Sequence, residues 1–326
     1  MGKLAFIFPG QGSQRAGMGK ALAEQFPAAR AVFDQADQAL GFPLSTLCFE
    51  GPEEELKLTA NTQPAILTTS VAAYRVLEEQ GIAPDYVAGH SLGEYSALVV
   101  SGCLSLPEAV VTVRNRGTYM QEAVPAGQGA MAALLGLPLP AVQQVCERAA
   151  QGQVVVPANL NSPGQIVISG HKEAVERAAQ AAKDAGAKRA VLLPVSAPFH
   201  SSLLQPVAAR LENDFQRIRF GGLGIPLVTN VDAEVIETPQ AARDALLRQV
   251  PAPVRWEESM RKLIELGCDC FIEVGPGKVL AGLLRQIDRS VRALSVEDPA
   301  SLEKTLAVLA PPTAGLTPAP KSEAAS

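Results

Sequence analysis

A serine stands between two glycines in Gly89-His90-Ser91-Leu92-Gly93, which fits the pattern G-x-S-x-G. A hydroxyl is a weak nucleophile at neutral pH and needs a base within hydrogen-bonding reach. The chain offers three histidines, His90, His171 and His200. His90 adjoins the serine, and neighbours on a turn point apart, so it is a poor base for Ser91; substrate positioning and local packing are both open to it. His171, in Gly170-His171-Lys172-Glu173, has the setting of a helix start and reads as a solvated surface residue. His200, in Ala197-Pro198-Phe199-His200-Ser201, falls in a loop between a strand and a helix, where α/β sheets place chemistry. Ser91 is the candidate nucleophile and His200 the candidate base. An acid completing a hydrolase triad should lie between them at a strand end. The acids in that interval, from Glu94 to Asp184, all sit in or beside predicted helices, so a Ser-His dyad with a neutrally oriented imidazole is expected.

The serine gains mechanical meaning from the elements around it. Tyr86–Gly89 reads as a short strand, and helical periodicity resumes at Leu92. A strand-turn-helix setting holds the hydroxyl exposed at a helix N-terminus, where free N–H groups favour a developing oxyanion. Upstream, Lys3–Phe8 reads as a buried strand running into a Pro-Gly-rich loop, and Thr62–Gln80 as a helix stopped by Gly81 with Pro84 beyond. Leu106–Ala123 is a further helix with Pro107 in its first turn. Alternating strands and helices imply a parallel sheet covered by helices. From about Pro125 to Pro194 the order becomes β-α-β-β-α-β, the ferredoxin-like pattern, and afterwards the α/β alternation resumes. The predicted fold class is therefore α/β: an α/β-hydrolase-like large domain over 1–124 and 195–310, with an inserted ferredoxin-like small domain over 125–194. The Pro/Ala/Ser-rich segment 311–326 is expected to be disordered, because it has little apolar surface to bury.

Composition excludes several classes. Apolar residues make up 47 % and charged residues 19 %, with a net charge of −5 and no long run of one sign. A nucleic-acid surface would need a basic face. The most apolar stretches are interrupted well short of the ~20 residues a membrane span requires, and the N-terminus lacks the features of a signal peptide. A cytoplasmic protein is expected, and no long heptad pattern argues against a monomer. The five cysteines, Cys48, Cys103, Cys146, Cys268 and Cys270, are scattered. They read as packed thiols, and no metal site is expected.

Further blocks join the serine and histidine motifs: Phe8-Pro9-Gly10-Gln11-Gly12-Ser13-Gln14, Arg116-Gly117 with Met120-Gln121, Asn159-Leu160-Asn161-Ser162-Pro163-Gly164-Gln165, Gln249 ahead of Pro253-Val254-Arg255-Trp256, and Glu273-Val274-Gly275-Pro276-Gly277. In this order and spacing the chain resembles the malonyl-CoA:acyl carrier protein transacylases of fatty-acid synthesis and, more widely, the acyltransferase domains of polyketide synthases. The resemblance implies a ping-pong transfer of a malonyl group from malonyl-CoA, through Ser91, to the phosphopantetheine thiol of acyl carrier protein, with no cofactor. It implies that Arg116 binds the free malonyl carboxylate, a task suited to a guanidinium fork. Gln11 and the Leu92 backbone N–H should form the oxyanion hole, and the carbonyl at Gln249 should hold the histidine ring in place of an acid. Phe199 should crowd out a methyl-branched acyl group, a difference worth only ~1–3 kcal/mol. His90 and Asn159 join the implied substrate-binding set.

Three rivals differ in testable ways. A serine thioesterase would share Ser91 and His200 but has no need of Arg116. A trans-acting acyltransferase of a polyketide synthase would share every motif. A dinucleotide-binding loop at Gly10-Gln11-Gly12 is disfavoured because Arg15 stands where the third glycine belongs.

Overall fold

The computed structural model describes residues 2–125, 127–195 and 197–310; the segment 311–326, expected to be disordered, lies outside the described residues. Ten strands occur among them: β1 (Lys3–Phe8), β2 (Tyr86–Gly89), β3 (Gly129–Leu135), β4 (Val155–Ser162), β5 (Gln165–His171), β6 (Arg189–Leu192), β7 (Leu227–Val228), β8 (Val235–Ile236), β9 (Cys268–Val274) and β10 (Arg292–Val296). They form two sheets. The six-stranded sheet has the order β10-β9-β1-β2-β7-β8 and is parallel except at its β7–β8 edge. The four-stranded sheet has the order β4-β5-β3-β6 and is wholly antiparallel. The α/β class expected from the alternation is therefore the observed one, and the second sheet has the ferredoxin-like strand order.

The central strand β1 is apolar on both faces because helices cover both; Ala5, Phe6, Ile7 and Phe8 are all buried. Helix Thr59–Glu79 is buried at every residue from Thr62 to Ala73, so protein encloses it on all sides rather than along one stripe. It ends where Gly81 takes φ 72°, the left-handed conformation that glycine adopts without cost. The four-stranded sheet carries helices Leu139–Ala150 and Lys172–Asp184 over its own cluster of small apolar residues, including Ala132, Ile168, Val175 and Ala178.

Backbone bonds tie strand β4 to the segment that precedes helix Trp256–Glu265. The Val254 N–H donates to the Ala158 carbonyl at 2.8 Å, and the Val254 carbonyl accepts from Leu160 at 2.9 Å. Asn159 thus forms an isolated parallel bridge with Val254. Among the described residues no helix is long and apolar enough to cross a membrane, and no group of three or more His, Cys, Asp or Glu could hold a metal ion. All five cysteines are buried and unpaired; burial pushes the Cys103 thiol up to about 11.

Candidate active site

The parallel strands deliver their chemistry at their C-terminal ends, as expected for an α/β sheet. Gln11 follows β1, Ser91 follows β2, and Asn230 follows β7. Ser91 has φ 51°, a left-handed conformation costly for a residue with a side chain. Two packing constraints impose it. A Cβ on Gly89 would lie 1.9 Å from the Gly93 backbone, and a Cβ on Gly93 would lie 2.1 Å from the Phe8 carbonyl oxygen. The turn is pinned by Asn230, whose Oδ1 accepts from the Ser91 N–H at 2.6 Å while its Nδ2 donates to the Gly89 carbonyl at 2.6 Å.

Ser91 Oγ lies 2.7 Å from His200 Nε2. On the other side of the ring, His200 Nδ1 is 3.0 Å from both the Gln249 and the Ala252 carbonyl oxygens, which makes Nδ1 the protonated nitrogen and leaves Nε2 free to accept from the serine. Local sequence explains the two free acceptors. Helix Pro239–Gln249 ends at Gln249, so that carbonyl has no intrahelical partner. The residue four further on is Pro253, which has no N–H to offer it. Among the described residues the hydrogen-bond partners of the His200 ring are the Ser91 hydroxyl and these two carbonyls. Burial first, and the nearby Arg116 charge second, push the His200 imidazolium down to about 3.

Arg116 projects from helix Leu106–Glu122 and is 1 % exposed. Its Nη2 donates to Ser91 Oγ at 3.1 Å and to Gln249 Oε1 at 2.9 Å, and its Nη1 donates to Gln63 Oε1 at 2.9 Å. Gln249 in turn donates from Nε2 to the Ser91 carbonyl at 3.0 Å and to Glu94 Oε2 at 2.9 Å. Glu94, equally buried, also accepts from the Asn230 N–H at 3.0 Å. Burial pushes its carboxyl up to about 7, against the hydrogen bonds from Gln249 and Asn230 and the charge of Arg116.

Ser91, His200, Arg116 and Gln63 line a cavity of about 110 Å³ together with Met120, Met131, Leu193 and Val195. Gln11, His90, Leu92, Asn159 and Phe199 all reach it. Among the described residues neither the Gln11 nor the Leu92 backbone N–H donates to a protein acceptor. The Gln11 side chain turns instead to Thr59, donating to its Oγ1 at 3.2 Å. His90 packs locally and also faces the cavity: its Nε2 is 2.9 Å from Asn161 Oδ1 and its ring lies 5.4 Å from that of Trp256. Phe199 packs against Met131, Ala158 and Val167 of the four-stranded sheet and against the larger core cluster. A second cavity of about 200 Å³ shares Gln11, His90, Asn159 and Leu193 with the first and continues past Val279 and Leu283. His171 departs from expectation. It lies at the end of β5 and its Nδ1 accepts from the Val154 N–H at 2.9 Å, so it is a structural acceptor and not a free surface group.

Gln63, Glu94, Asn230 and the Ala252 carbonyl were not foreseen as site groups. The pair of prolines after the helix end, Pro251 and Pro253, was the one available signal for the free carbonyls. The side-chain partners have no such local signature.

The acyl transferase domain family matches residues 5–307, and the chain belongs to that family. Within it, the chain is 51 % identical over 310 residues to the malonyl CoA-acyl carrier protein transacylase of Bacillus subtilis, covering 95 % of this chain and 98 % of that one. It is 50 % identical over 307 residues to the enzyme of the same name from Escherichia coli strain K12, covering 94 % and 99 %. The crystal structure of an acyl carrier protein S-malonyltransferase from Vibrio cholerae superimposes with a TM-score of 0.91 at 47 % identity, covering 93 % of this chain and 99 % of that chain. A malonyl-transacylase in complex with a type II polyketide synthase acyl-carrier protein gives 0.92 at 48 % identity, covering 94 % and 99 %.

Proposed function

We propose that this protein transfers a malonyl group from malonyl-CoA to the phosphopantetheine thiol of acyl carrier protein, in fatty-acid synthesis in the cytoplasm. The observation that carries the reading is a buried guanidinium 3.1 Å from the nucleophilic hydroxyl. An acyl group able to meet both must bear a carboxylate one methylene away from the carbonyl under attack, as malonyl does. Transacylase relatives at about half identity over nearly their whole length support the same substrate pair.

His200 Nε2 takes the Ser91 proton as Oγ attacks the thioester carbonyl. The developing oxyanion meets the unpaired Gln11 and Leu92 N–H groups, donors of a kind worth ~10²–10³ in rate each. The imidazolium formed is steadied by the Gln249 and Ala252 carbonyls, with partial negative charge at a helix C-terminus adding to them. The tetrahedral intermediate collapses, His200 returns the proton to the departing thiolate of coenzyme A, and malonyl-Ser91 remains, its carboxylate held by Arg116. The carrier-protein thiol then repeats the sequence in reverse, with His200 again as base. The second cavity, past Val279, offers the pantetheine arm a route to Ser91. Residues 1–124 and 195–310 form the catalytic unit, and 125–194 the cover that shields the acyl-enzyme from water. The chemistry requires no cofactor, and one monomer contains every group invoked.

Intact-mass spectrometry after mixing with malonyl-CoA tests this directly. A malonyl adduct is expected on the parent and none on Ser91→Ala. Rapid release of free malonate without an acceptor thiol would indicate a thioesterase, and an adduct surviving Ser91→Ala would overturn the assignment of the nucleophile.

A further inference from the structure

Arg116 is a cation enclosed in protein, yet it enters none of the ion pairs among the described residues. An enclosed charge without a counter-charge is costly. Its hydrogen bonds lead instead, through one residue, to a buried carboxyl. Gln249 stands between Arg116 and the buried carboxylate of Glu94, its Oε1 accepting from the guanidinium at 2.9 Å and its Nε2 donating to Glu94 Oε2 at 2.9 Å. The three groups form a hydrogen-bonded chain of guanidinium, amide and carboxyl.

The amide has only one satisfactory orientation in this chain. Rotated by half a turn, it would set Nε2 against the Arg116 donors and Oε1 against the Glu94 acceptor. Glu94, together with the Ser91 carbonyl that accepts from the same Nε2 at 3.0 Å, therefore sets which end of Gln249 meets Arg116. A direct Arg116–Glu94 ion pair would spend the guanidinium fork on an internal partner. With the amide as spacer, Nη2 stays beside Ser91 Oγ, where an acyl carboxylate can reach it. Glu94 is itself fixed, because the same Oε2 accepts from the Asn230 N–H at 3.0 Å.

Resting on the malonyl-transfer reading above, we propose that Glu94 is a positioning residue for the acyl carboxylate: through the side-chain amide of Gln249 it sets the direction in which Arg116 presents its guanidinium to the substrate. Glu94 touches neither substrate nor the reacting atoms. Its effect is felt in recognition of the malonyl end, not in recognition of coenzyme A.

Three variants separate this role from a general contribution to folding. Glu94→Gln keeps an acceptor oxygen for Gln249 and Asn230 while removing the charge. Glu94→Asp keeps the charge but withdraws the acceptor by one methylene. Glu94→Leu removes both. Pre-steady-state formation of malonyl-Ser91, followed by intact mass across a range of malonyl-CoA concentrations, gives the apparent KM and the limiting rate; free coenzyme A, as a competing inhibitor, gives its own Ki. Loss of a hydrogen bond in a chain anchored on charged groups corresponds to about a 10- to 100-fold effect. Glu94→Asp and Glu94→Leu should raise the KM for malonyl-CoA by that factor with the Ki of coenzyme A within about twofold of the parent, while Glu94→Gln stays within about fivefold in KM. The inference fails if Glu94→Asp matches the parent, if Glu94→Gln is as impaired as Glu94→Asp, or if KM and Ki rise together. Should Glu94→Leu not fold, the Asp and Gln variants decide alone. A parent that forms no malonyl adduct overturns the functional reading itself; a parent that does, with variants behaving as just described for failure, overturns only the role of Glu94.

Discussion

Replacing Arg116 tests whether its guanidinium binds the acyl carboxylate or merely supports the nucleophile. In the structure its three hydrogen bonds are divided between two nitrogens, with Gln63 on Nη1 and with Gln249 and Ser91 on Nη2. A lysine has one nitrogen and cannot reproduce that fork. A hydrogen bond to a charged group contributes about 1.5–3 kcal/mol. Arg116→Lys, losing one of two bonds to the carboxylate, should therefore lower kcat/KM with malonyl-CoA by about 10- to 150-fold. Arg116→Ala, losing both, removes about 3–6 kcal/mol and should lower it by about 10²- to 10⁴-fold. Acetyl-CoA, which lacks the carboxylate, supplies the control: its slower transfer should change by no more than a few-fold. The assay is transfer of each acyl group to the carrier-protein thiol, measured at several substrate concentrations. Equal losses with the two acyl groups would refute the reasoning, because they would mean that Arg116 acts on Ser91, 3.1 Å away, and not on the substrate.

Two other outcomes follow from the same geometry. Because the His200 pKa is lowered to about 3, the base stays neutral as the pH falls, and the acylation rate should show no half-point near the ordinary histidine value of about 6.5; in Arg116→Ala, with one positive neighbour removed, any acid limb should move upward, and a half-point near 6.5 in the parent would contradict the assignment. Gly93→Ala should destabilise the protein by about 3 kcal/mol or more, because its Cβ would meet the Phe8 carbonyl oxygen at 2.1 Å; Gly222→Ala, with nothing within 4 Å, is the matched control in thermal unfolding, and equal melting temperatures would show that the turn can relax.

The parts legible in the sequence share one property, that their signals are local. The strand-turn-helix around Ser91, the stop at Gly81 and the β-α-β-β-α-β order could each be read within a short window. The helices Leu44–Glu50 and Glu53–Lys57 escaped because they are too short to display a 3.6-residue period. Strand β4 runs to Ser162 although Pro157, Asn159 and Asn161 weaken its β signal, because its pairing with β5 tolerates two register shifts. The site divides in the same way. Ser91 and His200 could be chosen by chemistry and setting, and Arg116, Gln11, Phe199, Asn159 and Gln249 came by resemblance. Gln63, Glu94 and Asn230 reach the site from three separate elements, and only the fold brings them together. Glu94 was noticed and set aside because no triad acid belongs on that helix; it faces Gln249 rather than His200.

The Val254 bridge to Asn159 gives the molecule a mechanical character. One residue before Val254 is Pro253, and one before that is Ala252, whose carbonyl holds His200; the strand that carries Asn159 into the cavity is thus keyed into the same stretch of backbone that aims the base. Strand β4 cannot move away from that stretch without breaking the two Val254 hydrogen bonds. Any shift of strand β4 is therefore passed to the backbone that aims His200, so the wall of the cavity and the base move together.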